Sequence, residues 1–206
     1  MFRLSHVATG RMISFGKRRR TARFKTYLVA LLLATGAEPI RLGIPGDDLP
    51  HVCYLRTLSD SRRIIENAEN AKRAVVIGAS FIGLEVAASL RERKIEVAVA
   101  GKHSQPLEKI LGRELANLIR ETHEAHGVKF HLARTPAVIQ DRHVQLDHGT
   151  ILDCDLVVVG IGVRPNTALA EKQGSRPTMA FGQRIFAAGD IVRWPDPRAG
   201  RIRAEH

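Results

Sequence analysis

The chain has 206 residues, 44% of them hydrophobic and 26% charged, and a formal net charge of +11. Such a length and balance suit one large globular domain or two small ones, with a buried core. The charge invites nucleic acid as a partner, but its distribution speaks against a folded basic face: residues 1–37 hold eight Lys or Arg and no acid, while the other 169 hold 24 basic and 21 acidic residues.

Cysteine usage narrows the field further. Cys53 and Cys154 are the only two, with no C-x-x-C between them, so neither a redox dithiol nor a zinc knuckle is supported. Two isolated cysteines fit a reducing, cytoplasmic setting, where they serve as small buried hydrophobes. The longest apolar run, Tyr27 to Ala34, has eight residues, far short of the ~20 a membrane span needs. A soluble protein with no membrane partner is expected.

In chain order, residues 1–26 come first, with the dense run Lys17-Arg18-Arg19-Arg20. An Arg-rich, acid-free start has the composition of an organellar transit peptide, and a basic arm of undefined structure is the plainer reading. Tyr27 to Ala34 predicts a strand that ends at Thr35-Gly36. Pro39, Gly43, Pro45, Gly46 and Pro50 mark a linker. Leu58 to Asn70 predicts a helix with Ile64, Ile65 and Ala68 inward and Ser59 or Asp60 as N-cap. Val75-Val76-Ile77 then enters a glycine turn, Gly78 to Gly83. A helix follows with Ile82, Val86 and Leu90 on one stripe, and Ile95 to Val99 closes a βαβ unit. Gly112 to Ala125 predicts a second helix with Leu115, Leu118, Ile119 and Thr122 on one stripe and Gly127 as its stop. Strands are predicted at Val128 to Leu132, in a hairpin about Asp147-His148-Gly149, at Asp155 to Val159 and at Ile185 to Ala188. Alternation of strands and helices predicts an α/β fold with a mainly parallel sheet, whose ligands sit at the carboxyl ends of the strands.

The glycine turn carries the most chemistry. In G-x-G-x-x-G the first glycine makes the tight turn, the second lets backbone approach a pyrophosphate, and the third lets helix pack on strand. Gly78 and Gly83 hold the first and third places and Ser80 the second, where its hydroxyl is expected to reach a phosphate oxygen. The residue ending the second strand decides between NAD and NADP, because an acid there binds the ribose 2′-hydroxyl. Here Val99 is followed by Ala100-Gly101-Lys102-His103. Lys102 or His103 suits a 2′-phosphate, and a solvated loop lysine is the alternative, so the choice stays open at NAD(P). No acid–base dyad stands out, and the nine histidines show no ligand spacing with Cys or Asp.

Ala74-Val75-Val76-Ile77-Gly78-Ala79-Ser80-Phe81-Ile82-Gly83-Leu84-Glu85-Val86-Ala87 resembles the NAD-binding segment of FAD-dependent pyridine nucleotide oxidoreductases, in the branch of ferredoxin and rubredoxin reductases and apoptosis-inducing-factor-like proteins. Four more stretches agree in order: Leu31 to Pro39, Leu55 to Leu58, Val157 to Asn166 and Phe186 to Asp190. The resemblance implies an α/β fold in which a Rossmann-like NAD(P)-binding module is inserted in an incomplete FAD-binding domain. It implies a basic tail over 1–26, FAD-domain segments over 27–66 and 173–206, and the NAD(P) module over 67–172. It gives Thr35, Gly36, Gly189 and Asp190 to the flavin nucleotide, with Asp190 accepting from the ribityl hydroxyls. It gives Gly78, Ala79, Ser80, Phe81, Ile82, Gly83, Glu85, Gly160 and Gly162 to the dinucleotide, with Glu85 near the nicotinamide amide; Lys102 joins them as the ribose-end candidate. Arg164 is structural under this reading.

The implied cofactors are FAD and NAD(P). The implied chemistry is hydride transfer from NAD(P)H to flavin, with electrons passed on to a ferredoxin- or rubredoxin-like acceptor. Residues 1–27 supply no glycine turn for FAD, residues 174–184 lack the usual strand, and the chain ends before an interface domain, so a partial chain without stoichiometric FAD is expected. Two other readings compete: a remnant that binds nucleotide without turnover, and a basic nucleic-acid-binding protein.

Overall fold

A computed structural model describes residues 5–8, 11–14, 31–171, 180–181, 185–196 and 201–204. The basic run Lys17–Arg20, residues 27–30 of the first predicted strand and most of 172–184 lie outside them. The elements in chain order are β1 (Ser5–Ala8), β2 (Arg11–Ser14), β3 (Leu31–Leu33), β4 (Ala37–Pro39), β5 (Val52–Tyr54), α1 (Leu58–Ala68), β6 (Arg73–Ile77), α2 (Phe81–Glu92), β7 (Glu96–Gly101), α3 (Glu108–Leu111), α4 (Arg113–Ala125), β8 (Val128–Leu132), β9 (Pro136–Gln140), β10 (His143–Leu146), β11 (Ile151–Asp153), β12 (Leu156–Val159), β13 (Val163–Pro165), α5 (Ala168–Glu171), β14 (Ala180–Phe181), β15 (Ile185–Ala187), β16 (Arg193–Asp196) and β17 (Arg201–Ala204).

The chain divides into two compact units, Pro39–Gly162 and Met1–Glu38 with Val163–His206. The first is built on a five-stranded sheet, β5-β12-β6-β7-β8, parallel throughout. Its central strands β12 and β6 are nearly continuous apolar runs rich in valine, as expected where both faces are covered. Alternate side chains serve opposite faces. Ala74, Val76, Leu156 and Val158 pack with Ile64 and Ala68 of α1 and Val86, Ala87 and Leu90 of α2. Val75, Ile77, Val157 and Val159 pack on the other face with Ile139, Val144, Leu146 and Leu152 of the antiparallel sheet β9-β10-β11. Helices, parallel sheet and three-stranded sheet thus form three layers.

In the second unit the order is β14-β15-β3-β1-β2, with β15 and β3 parallel and the other pairs antiparallel. Leu33, Ala170, Ala187, Ile191 and Val192 form its small core. β4 pairs with β13, and β16 with β17.

Several sequence expectations shift. β5 joins the parallel sheet beside β12, within the compact unit that begins at Pro39. β7 runs two residues past Val99, to Gly101. The N-cap of α1 is Thr57, not Ser59 or Asp60; Thr57 Oγ1 accepts from Asp60 N at 3.2 Å while Asp60 Oδ2 accepts from Thr57 N at 2.7 Å, a reciprocal capping box. On α4 the buried residue is Ala116; of the stripe Leu115, Leu118, Ile119 and Thr122, only Ile119 is half-buried, and Leu115 and Leu118 are 50% and 58% exposed. β1 and β2 fall in the basic tail of undefined structure, β14 in the segment expected to lack a strand, and β16 and β17 in the polar end.

Candidate nucleotide-binding sites

The turn after β6 is wedged between the ends of β7 and β12. Gly78 N donates to Ala100 O at 2.7 Å, and Gly160 N donates to Ile77 O at 2.8 Å. Gly78 has φ +113°, and a Cβ there would run into the Gly160 carbonyl. A Cβ on Gly83 would strike the Gly78 carbonyl oxygen, and one on Gly160 would sit 3.2 Å from Gly83 N. Three glycines therefore share one backbone-on-backbone contact that has no space for side chains. It brings the start of α2 directly onto the sheet.

Ser80 is the N-cap of α2. Its Oγ accepts from Gly83 N at 3.3 Å and donates to Gly160 O at 2.6 Å. The hydroxyl has one proton, and a carbonyl takes it, so Ser80 fastens the turn to β12 instead of offering a donor to a phosphate. The first helical bond is Leu84 N to Ser80 O at 2.9 Å. With Gly83 capped, Phe81 and Ile82 keep N–H groups without an intrahelical acceptor, at the positive end of the helix dipole. Ala79 and Ile82 are half-buried there, and Phe81 is 50% exposed. Glu85 lies just beyond the first turn with its side chain in solvent.

Gly101, which the sequence reading passed over, ends β7 against this turn: a Cβ on it would sit 3.1 Å from the Cβ of Ala79. The exposed Lys102 is the first residue off the strand. Gly162, φ +112°, follows β12, and its carbonyl accepts from Ile40 N at 3.0 Å. Arg41 stacks its guanidinium over Tyr54, 4.2 Å from the ring centroid.

The second unit gathers the remaining candidates at the carboxyl ends of two adjacent parallel strands. Thr35 and Gly36 follow β3, and Gly189 and Asp190 follow β15. Ala188 N donates to Leu33 O at 2.9 Å, which holds the two ends side by side. Gly36 and Gly189 both have positive φ, +66° and +71°. Asp190, half-buried, sits in a 3-10 turn, Gly189–Ile191. Asn166, in the Arg164-Pro165-Asn166 stretch that the resemblance makes loop-fixing, also fixes this corner. Thr35 Oγ1 donates to Asn166 O at 2.6 Å, Asn166 Nδ2 donates to Thr35 O at 3.2 Å, and Asn166 N donates to Gly36 O at 2.8 Å. The pairing spans 131 positions, so nothing local in the sequence reveals it. Arg164 is structural as expected, forking onto Glu38 Oε1 at 2.5 and 3.2 Å.

Both corners fit nucleotides. Around Gly78–Gly83 backbone is bare of side chains and two N–H groups are open, which suits a pyrophosphate. Among the described residues, nothing beside Gly189 lies within 4 Å of where a Cβ would stand, which leaves room for a ligand against the main chain there. Among the described residues, no helix is long and apolar enough to cross a membrane.

A parallel sheet with a glycine turn opening the helix after its central strand defines the class: a Rossmann-like dinucleotide-binding protein. A sequence profile of the pyridine nucleotide-disulphide oxidoreductases matches residues 7–203, and the chain belongs to that family. It is 35% identical to peroxisomal monodehydroascorbate reductase 4 of Arabidopsis thaliana, over 84% of this chain and 40% of that protein. It is 34% identical to rhodocoxin reductase of Rhodococcus erythropolis, over 85% of this chain and 44% of the relative. The crystal structure of a ferredoxin reductase from Rhodopseudomonas palustris superposes with a TM-score of 0.79 at 34% identity, covering 85% of this chain and 47% of its own. The chain thus spans less than half the length of each.

Proposed function

We propose that this chain carries the nucleotide-binding part of a cytoplasmic FAD-dependent NAD(P)H oxidoreductase of the ferredoxin-reductase type. The observation that carries the reading is the Gly78–Gly83–Gly160 contact, a turn stripped of side chains at the carboxyl end of a parallel sheet. In this reading, Gly78, Ala79, Ser80, Phe81, Ile82 and Gly83 form the pyrophosphate cradle. Phe81 and Ile82 supply N–H donors, and Ser80 keeps the cradle closed on β12. Glu85, Gly160 and Gly162 border the nicotinamide half, and Lys102 the adenosine ribose. Thr35, Gly36, Gly189 and Asp190 border FAD, with Asn166 holding Thr35 and Gly36 in place. The bound cofactors supply hydride acceptance by the flavin and release of single electrons. What this chain's residues do is bind, orient and hold open backbone against the ligand. The acceptor we infer is a small ferredoxin- or rubredoxin-like protein, in keeping with the names of two of the relatives above. The two buried free cysteines accord with a reducing compartment.

The test is a titration of the purified chain with NADH and with NADPH, followed by nicotinamide fluorescence, and a second titration with FAD followed by the flavin absorption band. Saturable binding of a reduced nicotinamide nucleotide, together with thermal stabilisation of ~2.7 kcal/mol at a hundredfold excess over Kd, is the expected result. Failure of both nucleotides to bind overturns the reading.

A further inference from the structure

We propose that the nucleotide this chain selects is the 2′-phosphorylated one, NADP(H), and that Lys102 and His103 at the carboxyl end of β7 make the choice. The inference rests on the dinucleotide reading above and deepens it. In a βαβ unit the residue that ends the second strand meets the adenosine ribose. An NAD site places a carboxylate there, which accepts from the free 2′-hydroxyl and repels a 2′-phosphate. In this chain the strand end is Gly101, pressed against Ala79 of the turn, so it faces the cradle but offers no acid. Glu96 does not substitute: it begins the same strand, five residues earlier, ~17 Å away at ordinary strand rise.

A lysine stands where the acid is missing, with a histidine beside it. Lys102 is exposed at the first position beyond the strand, and His103 beside it is half-buried. Burial, then the neighbouring Lys109 and Lys102, hold the His103 imidazole below its usual proton affinity. Lys102 and Lys109 carry the positive charge near this corner, and His103 adds a ring N–H rather than a cation. Glu108 is the acid that faces His103. Its carboxylate is engaged elsewhere, by Ser104 Oγ at 2.6 Å and by Arg113 at 4.0 Å.

The corner is also held in place. Ala133 N donates to His103 O at 2.9 Å, and Arg134 N donates to Gly101 O at 3.0 Å. These bonds tie the residues after β7 to the turn after β8, so Lys102 and His103 project from a fixed backbone. A phosphate there gains charge-assisted hydrogen bonds that a ribose hydroxyl does not make.

The test is a fluorescence titration of the full chain with NADPH and with NADH at one ionic strength. NADPH is expected to bind roughly tenfold tighter or better, and 2′,5′-ADP to displace it far more effectively than 5′-AMP. In Lys102→Ala the ratio of NADPH to NADH affinity is expected to fall about tenfold, and in Lys102→Glu to invert. His103→Ala should lower the ratio by a smaller factor, with an unchanged urea midpoint showing that the fold is intact. Equal or tighter binding of NADH by the unaltered chain overturns the preference while leaving the dinucleotide reading in place. A ratio that neither the Lys102 nor the His103 variants move overturns the assignment to these residues. Failure of both nucleotides to bind overturns this proposal and the reading beneath it together.

Discussion

Ser80 occupies the place where a third glycine would complete the dinucleotide pattern, and its hydroxyl works for the fold. It closes α2 by accepting from Gly83 N and closes the turn by donating to Gly160 O. Removing it tests both roles. Ser80→Ala should cost about 1 kcal/mol, the ordinary loss of a good N-cap, whereas Ser80→Gly should cost only a few tenths from the cap itself, since glycine is tolerated there. Gly83→Ala is the severer change, because its new Cβ meets the Gly78 carbonyl oxygen, which is backbone and has nowhere to go. About 1–3 kcal/mol is expected for such overpacking. Urea unfolding followed by circular dichroism ranks the three. A Gly83→Ala variant no less stable than Ser80→Ala would show that the contact relaxes freely.

At the scale of elements, α2 and α4 contrast. Both are amphipathic on paper. In α2, Val86 and Leu90 go inward as their spacing predicts. In α4 the apolar side chains of Leu115 and Leu118 lie in solvent, and Ala116 meets the protein. His123 on that inner side reaches Ile119 O and Leu84 O and sets its ring edge-on to Phe130, 6.3 Å between centroids. Leu118→Gln should therefore leave stability within about 0.5 kcal/mol, while Leu90→Ala should cost about 2–5 kcal/mol; the same urea series reads both. Sequence periodicity finds a helix well, because the 3.6-residue repeat is local. It does not say which of two apolar stripes meets the sheet. The same limit hides β5, whose three residues become a strand only through β12, a hundred positions on, and β16 and β17, four-residue strands that form by pairing with each other. The strands and helices of the βαβ unit were legible because each is long and apolar. Thr57 was missed as a cap because its evidence is the reciprocal bond with Asp60, not its own position.

For the first unit as a whole, Asp155 joins parts that lie far apart in sequence. Its Oδ2 accepts from Lys72 N at 2.9 Å and Arg73 N at 3.0 Å, and its own N donates to Arg73 O at 2.8 Å, so β6 and β12 begin in register. The Lys72 backbone bond, then that of Arg73 and the nearby Arg73 and Arg142 charges, hold its carboxyl below the usual carboxylate range. A lowered folded value means the carboxylate adds stability above its unfolded pKa of about 3.9, and that contribution is lost as pH falls through the folded value. Asp155→Asn should flatten the loss of stability below about pH 4 and lower the plateau above it. Urea midpoints taken across that range check this; an unchanged acid slope would mean other carboxylates govern it. The three-layer plan of this unit was partly readable, since fully apolar strands announce a sheet covered on both faces. The inserted arrangement is expected from the family resemblance and not from local patterning, because pairings such as β3 with β15 join distant parts of the chain and leave no local signal.

The shared contact of Gly78, Gly83 and Gly160 has a bearing on how this protein can change. The segment that would cradle a pyrophosphate is the one that joins β6, β12 and α2, so affinity and folding draw on one short stretch of chain. A substitution there alters both at once, and a lost ligand cannot be told from a lost fold without a separate stability measurement. Lys102 stands one residue beyond the packed strand end and is free of that coupling. Divergence in ligand preference therefore has an open route along the rim of this sheet and a closed one at its centre.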